Sequence, residues 1–202
     1  MKTLTTPNTE LRDIELTIGI CGQRLSGKDY IADLIHKHTD FKKRSLAHPI
    51  KQEYSRIMDI PIDTLYTQGD EKEIHRLSLI TLGAIRREQH IDWWCEALHE
   101  KSQNGVVIIP DIRFSNEVEY FYKHSTTFLL FEISADNSSL KKRGWKKSFA
   151  DSTSTETQRY DFKHRITETI ENNNNNDTTN IVENLLKKYN LYNIKNVNKL
   201  QS

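Results

Sequence analysis

The residues best equipped for chemistry sit together in Gly22-Gln23-Arg24-Leu25-Ser26-Gly27-Lys28-Asp29: two glycines separated by four residues, then a lysine and a carboxylate. Glycines at this spacing let backbone N–H groups approach a polyphosphate. A following helix would add partial positive charge at its N-terminus, and Lys28 would neutralise the β and γ phosphates. Such loops usually carry Ser or Thr after the lysine to hold magnesium. Asp29 is a different oxygen ligand for the same ion, directly or through water, and also suits the first turn of a helix. Gly22 to Asp29 is therefore expected to bind a polyphosphate with Mg²⁺; the plainer alternative is a glycine-containing turn with a solvated lysine.

A second group follows the apolar run Val106 to Ile109. Asp111 and Arg113 stand where that run ends, which suits a carboxylate in a magnesium shell and a guanidinium on a substrate phosphate; an ordinary strand-end ion pair is the alternative. Lys51 follows the His48-Pro49 turn, and Arg76, Arg86 and Arg87 lie on a long helical stretch, so some of these are candidates to grip the phosphate of an acceptor. Arg143, with Lys141, Lys142, Lys146 and Lys147 around Trp145, reads as a closing lid that brings positive charge to a transferring phosphoryl group. A solubilising or nucleic-acid-touching patch competes with that reading. Trp93, Trp94 and Cys95 read as packing residues. No histidine has a defensible metal-ligand spacing, so zinc is not indicated.

The elements that must position these residues are legible in outline. Residues 1–13 are polar and expected to be loose. Ile14 to Cys21 reads as a strand that becomes buried, and Asp29 to His38 puts Tyr30, Ile31, Leu34 and Ile35 on one helix face. A short strand is expected near "KRSLAH", a helix after Pro49, and a mostly helical stretch from Glu73 to Leu98 that breaks near Gly83. Val106 to Ile109 and Phe128 to Ser134 read as buried strands, and Asp177 to Tyr189 as a covering helix. Strands alternating with helices predict an α/β, P-loop NTPase three-layer fold: a parallel sheet flanked by helices, with a small lid. The expected domain runs over 14–191, with the lid at about 138–160, an Asn-rich surface loop without chemistry at 171–177, and a flexible tail at 192–202.

Bulk properties set limits. The 202 residues carry a net charge of +1, so no global field draws the chain to nucleic acid or an anionic membrane. Two cysteines give no disulfide framework, and no apolar run has membrane-spanning length. The expectation is a cytoplasmic, soluble protein acting on a small-molecule phosphate acceptor, with no membrane association and no stable nucleic-acid partner; homodimer formation stays open.

"GQRLSGKDYIADLI", "LAHPIK", "LITLGAIRREQHIDWW" and "VVIIPDIRFSNEVEYF" resemble, in order over Ile18 to Phe121, the blocks of P-loop small-molecule kinases of the phage-type deoxynucleoside monophosphate kinase family. "GQRLSGKDY", "HPIKQEY", "KEIHR" and "KKRGW" also resemble animal-type phosphomevalonate kinases, which tend to carry a second Arg where Phe114 stands. The resemblance implies that Gly22, Gln23, Arg24, Leu25, Ser26, Gly27, Lys28 and Asp29 bind ATP and magnesium. It makes Lys51, Arg76, Arg86 and Arg113 candidates for the acceptor phosphate, with Lys28, Arg113 and Arg143 as catalytic residues and Asp29 and Asp111 as metal ligands. Its leading implication is a deoxynucleoside monophosphate kinase, with phosphomevalonate kinase as the alternative and a nucleotide-dependent switch or nucleic-acid-associated ATPase as a reading of another class.

Overall fold

The computed structural model describes residues 13–66, 70–146, 161–173 and 177–192. Five strands form one sheet: β1 (Ile14–Gly22), β2 (Lys42–Lys43), β3 (Val106–Ile109), β4 (Ser125–Ser134) and β5 (Glu168–Glu171). Their order is β2-β3-β1-β4-β5, and every pairing is parallel. The first strand thus lies in the middle, with Gly19 opposite Ile109 on one side and Leu130 on the other. A parallel sheet needs crossovers over its faces, so a central strand is buried on both and reads as a nearly continuous apolar run. The sequence "IELTIGIC" meets that demand.

Side-chain alternation divides the core into two layers. Leu16, Ile18, Ile20, Ile108, Phe131 and Ile133 pack against Ile31, Ala32 and Ile35 of α1 (Lys28–Thr39) and Val182, Leu185 and Leu186 of α7 (Thr178–Lys188). On the opposite face Val107, Ile109 and Leu130 meet Trp94, Cys95 and Leu98 of α4 (Trp93–His99) and Val118 and Phe121 of α5 (Ser115–Lys123). Period-two patterning along each strand produces this split. Between β2 and β3 the chain also forms α2 (Ala47–Met58) and α3 (Asp70–Gln89), and after β4 the short α6 (Asn137–Lys142).

Several elements differ from expectation. Helix α2 starts at Ala47, ahead of Pro49; a proline in the first turn removes an N–H that has no intrahelical acceptor anyway. Helix α3 continues through Gly83, whose carbonyl accepts the Trp94 indole N–H at 3.1 Å. Gly83 therefore sits inside the helix rather than at its end. Strand β5 and helix α5 were not anticipated, and β4 begins three residues earlier than expected, at Ser125. Asp177 is the N-cap of α7, accepting from the Asn180 N–H, rather than its first residue.

At the two ends of the described residues, the Asp13 carbonyl accepts from the Asn104 N–H, and Tyr192 meets His38 edge-on with ring centroids 6.5 Å apart. In the expected Asn-rich surface loop, Glu171 closes β5 and Asn172 is only 4% exposed. Residues 147–160 of the expected lid, including Lys147, lie outside the described residues, as do 1–12, 174–176 and 193–202.

Candidate active site

The loop joining β1 to α1 is wound tightly. Gly22 (φ 139°), Leu25 (φ 64°) and Gly27 (φ 97°) all have positive φ. A Cβ at residue 22 would run into the Ile133 carbonyl oxygen, and one at residue 27 into the Asn172 amide, so both positions require glycine for conformation and space. Leu25 adopts the left-handed region despite its side chain, at a cost of about 1–2 kcal/mol. Strain of that kind persists where surrounding contacts over-determine the backbone.

Those contacts come from two directions. From within, Lys28 is 9% exposed and donates through Nζ to the Gly22 carbonyl at 2.8 Å and the Gln23 carbonyl at 2.9 Å, folding the loop around its ammonium. From behind, Arg143 donates to the carbonyls of Ser26 (3.0 Å), Leu25 (3.3 Å) and Asn172 (2.6 Å), and Asn172 Nδ2 donates to the Ser26 carbonyl at 2.8 Å. Arg24 reaches the Lys146 carbonyl at 3.0 Å. The expected nucleotide-loop residues, Gly22 to Asp29, are therefore contiguous in space with Arg143, the residue expected in the lid. In this state Arg143 braces the loop's outer wall.

The C-terminal end of β3 forms the neighbouring corner. The Asp111 carboxylate accepts from Ser45 Oγ (2.6 Å) and from the backbone N–H groups of Leu46 (2.9 Å) and Ala47 (2.9 Å). It thereby caps the start of α2 from another part of the chain and complements that helix dipole. Two residues on from Asp111, the Arg113 N–H donates to Glu117 (2.7 Å), as does the Phe114 N–H (3.0 Å), which fixes the loop carrying Arg113. Burial pushes the Glu117 carboxyl up to about 7, against the lowering effect of those two hydrogen bonds. Arg87, its guanidinium 4.3 Å from the Phe114 ring centroid, is lowered from the ordinary arginine value, chiefly by burial.

The expected acceptor residues are more dispersed. Arg86 pairs with Glu53 through both Nε and Nη2, stays near Trp93, and so ties α3 to α2. Lys51 lies over the Tyr66 ring at 3.6 Å, and Arg76 is half-buried on α3. Tyr66 also hydrogen-bonds His48, whose pKa is lowered first by burial and then by Lys101, Lys51 and Arg44. Lys51 and Arg86 lie on α2 and α3, in the stretch between β2 and β3, and Arg113 follows the C-terminal end of β3.

The donor set fits a polyphosphate. It offers glycine-shaped backbone, the enclosed Lys28 ammonium, and Ser26 Oγ, which is buried without a hydrogen-bond partner among the described residues. Asp29 is exposed on the first turn of α1 and can meet a hydrated Mg²⁺ that arrives with the nucleotide. Asp111, expected as a metal ligand, is engaged by three donors on α2's N-terminal side, which competes with direct coordination. Among the described residues no group of three or more His, Cys, Asp or Glu side chains could form a metal cage.

Sequence reasoning missed Asn172 and Glu117. The first is hidden in an asparagine run. The second sits at the third position of α5, where a capping glutamate belongs, but Phe114 stands in place of the Ser or Thr that would have advertised the motif.

With this geometry in place, likeness to known proteins can be weighed. The fold is that of P-loop kinases: shikimate kinase from Acinetobacter baumannii superimposes with a TM-score of 0.50 at 12% identity, covering 86% of this chain and 92% of that one. A Thermus thermophilus protein superimposes equally well at 16% identity, covering 87% of this chain and 96% of that one. Residues 20–127, just over half the chain, match the phosphomevalonate kinase family, and the chain belongs to that family. The Drosophila melanogaster phosphomevalonate kinase is 27% identical over 108 residues, half of this chain and 57% of that protein's length. The match favours the phosphomevalonate side of the expected pair of families, not the phage-type nucleotide enzymes. No described helix is long and apolar enough to cross a membrane.

Proposed function

We propose that the chain is an ATP-dependent phosphotransferase that phosphorylates the phosphate group of a small acceptor, with phosphomevalonate as the first acceptor to test. A phosphate oxygen of the acceptor attacks the γ-phosphorus, the bond to the β–γ bridging oxygen breaks, and ADP leaves with that electron pair. The observation carrying this reading is the preformed loop, with Lys28 enclosed by the carbonyls of Gly22 and Gln23 in a chain of the phosphomevalonate kinase family. Magnesium, when bound with ATP, would neutralise phosphate charge beside Asp29.

The residues of this chain would act mainly by positioning and electrostatics. Lys28 would leave its two carbonyls for phosphate oxygens. Arg113, held by Glu117's grip on its backbone, would face the acceptor phosphate, with Lys51 and Arg76 as further contacts. Arg86 would take part only after loosening from Glu53, and Arg143 would reach a transferring group only after releasing the loop carbonyls.

The test is a coupled ADP-release assay with phosphomevalonate, dAMP, dGMP, dCMP and dTMP offered separately. Turnover with phosphomevalonate is expected. Turnover only with a deoxynucleotide would move the acceptor assignment, and acceptor-independent hydrolysis stimulated by DNA would overturn the kinase reading.

A further inference from the structure

The asparagine run expected to do nothing begins with a buried side chain aimed at the phosphate loop. Asn172 follows β5 directly, and its backbone N–H donates to the Ser134 carbonyl at 2.8 Å, extending the β4–β5 ladder by one bond. Its side chain is oriented at both ends: Nδ2 donates to the Ser26 carbonyl at 2.8 Å, while Oδ1 accepts from Thr178 Oγ1 at 3.1 Å. The Ser26 carbonyl can only accept, so it requires the Nδ2 end of the amide to face the loop, and the Thr178 hydroxyl donates to the Oδ1 end and holds that orientation. Asn172 and Thr178 are 4% and 8% exposed, so neither contact is shared freely with water.

The target of this amide gives it meaning. The Ser26 carbonyl and the Gly27 N–H belong to one trans peptide and point in opposite directions. Drawing the carbonyl outward turns the Gly27 N–H towards the other side of the loop, where an anion would lie at the N-terminus of α1. The space a side chain at residue 27 would need is filled by the Asn172 amide, so the glycine and the asparagine form one fitted pair. Arg143 shares the same Ser26 carbonyl and also takes the Asn172 carbonyl, which closes the set.

We propose that Asn172 is a positioning residue for nucleotide binding: it pins the Ser26–Gly27 peptide from behind and presets the loop for phosphate, with Thr178 orienting its amide. This rests on the phosphotransferase reading above and adds to it a residue outside the loop motif. It touches no reacting atom and acts through the peptide it holds.

The experiment measures MgATP and MgADP affinity by calorimetry on the full chain, without acceptor, for the wild type, Asn172→Asp and Thr178→Val, alongside urea midpoints and KM for each substrate. Asn172→Asp keeps the size and the acceptor for Thr178 but sets a carboxylate oxygen against the Ser26 carbonyl. Nucleotide affinity should fall about tenfold or more, as expected when a buried hydrogen bond becomes a repulsion. The KM for ATP should rise in step while the KM for the acceptor stays within about twofold. Thr178→Val should weaken nucleotide binding by roughly threefold, the scale of one neutral hydrogen bond. A folded Asn172→Asp protein that binds nucleotide like the wild type overturns the proposal, as does a lowered urea midpoint with unchanged affinity. If Asn172→Asp does not fold, Thr178→Val decides: unchanged affinity overturns, weakened affinity supports. A wild type that binds no nucleotide removes both this inference and the functional reading; a wild type that binds normally beside an unaffected variant removes this inference alone.

Discussion

The two corners of the sheet edge are built differently. Around the β1–α1 loop, hydrogen bonds from Lys28, Arg143 and Asn172 converge on the carbonyls of Gly22, Gln23, Leu25 and Ser26. Around α2 and α3, the basic side chains are engaged one by one: Arg86 on Glu53, Lys51 on Tyr66, Arg87 over Phe114. Under the proposed function, a donor that is always a nucleoside triphosphate would reward a rigid receptacle, because preorganisation avoids ordering costs on binding. An acceptor side whose cations rest on internal partners can regroup when a ligand arrives. The difference predicts that perturbing the first corner changes nucleotide affinity and catalysis sharply, and that perturbing the second changes acceptor affinity more than the fold.

The largest effect should come from Lys28→Met. Transfer should fall by about 10³-fold or more, since a lysine in this place serves the charge of the reacting phosphates. Circular dichroism should remain close to that of the wild type. Near-normal kcat would break the comparison at its strongest point.

Asp111→Asn tests whether the second corner is held together by one carboxylate. A single amide oxygen cannot replace two carboxylate oxygens that accept three donors, so stability should drop by about 1–3 kcal/mol, read as a lower urea midpoint. An unchanged midpoint would mean that α2 needs no external cap.

Glu117 gives the comparison a pH axis. Its folded-state value of about 7 lies above the ordinary 4.5, so the native state holds a proton that the unfolded chain releases. The stabilisation is fully present below pH 4.5 and is lost as the pH rises through about 7. The stability difference between the wild type and Glu117→Gln should therefore shift against the wild type between pH 5 and pH 8, by roughly 1–3 kcal/mol. A difference that stays flat over that range would show that the carboxylate is not displaced from its usual titration.

Arg86→Ala should have the smallest effect on stability, within about 1 kcal/mol, because the Glu53 pair is partly exposed. Its value lies in the kinetics: KM for the acceptor should rise while KM for ATP holds. A rise in the ATP value alone would erase the proposed division of labour.

Much of the donor corner was legible from sequence, because local rules write it. Strand, glycine spacing, lysine and helix follow one another within a few residues, and each obeys a constraint visible in residue type. The long apolar strands were legible for the same reason. Gly83 misled because a single glycine is tolerated inside a helix when the residues on both sides continue it, as they do in α3. Strand β5 escaped because "ETIE" offers a single buried side chain, Ile170, at the edge of the sheet. Asp111 was recognised as a strand-end carboxylate, but its engagement with Ser45, Leu46 and Ala47 spans 64 to 66 residues of sequence and follows from topology alone. The arginines were named individually, and only the tertiary structure shows which of them rest on carboxylates or aromatic rings.

The bond from Asn172 to Ser26 crosses 146 residues of chain. During synthesis at roughly 5–20 residues per second, the loop's own sequence emerges early, yet its outer brace arrives many seconds later. Strand β1 likewise waits for β3 and β4 before it has a neighbour on either side. A nascent chain thus carries the complete motif long before it can carry the shape, and under the proposed function nucleotide binding would be a late report that the ribosome has delivered the far end of the fold.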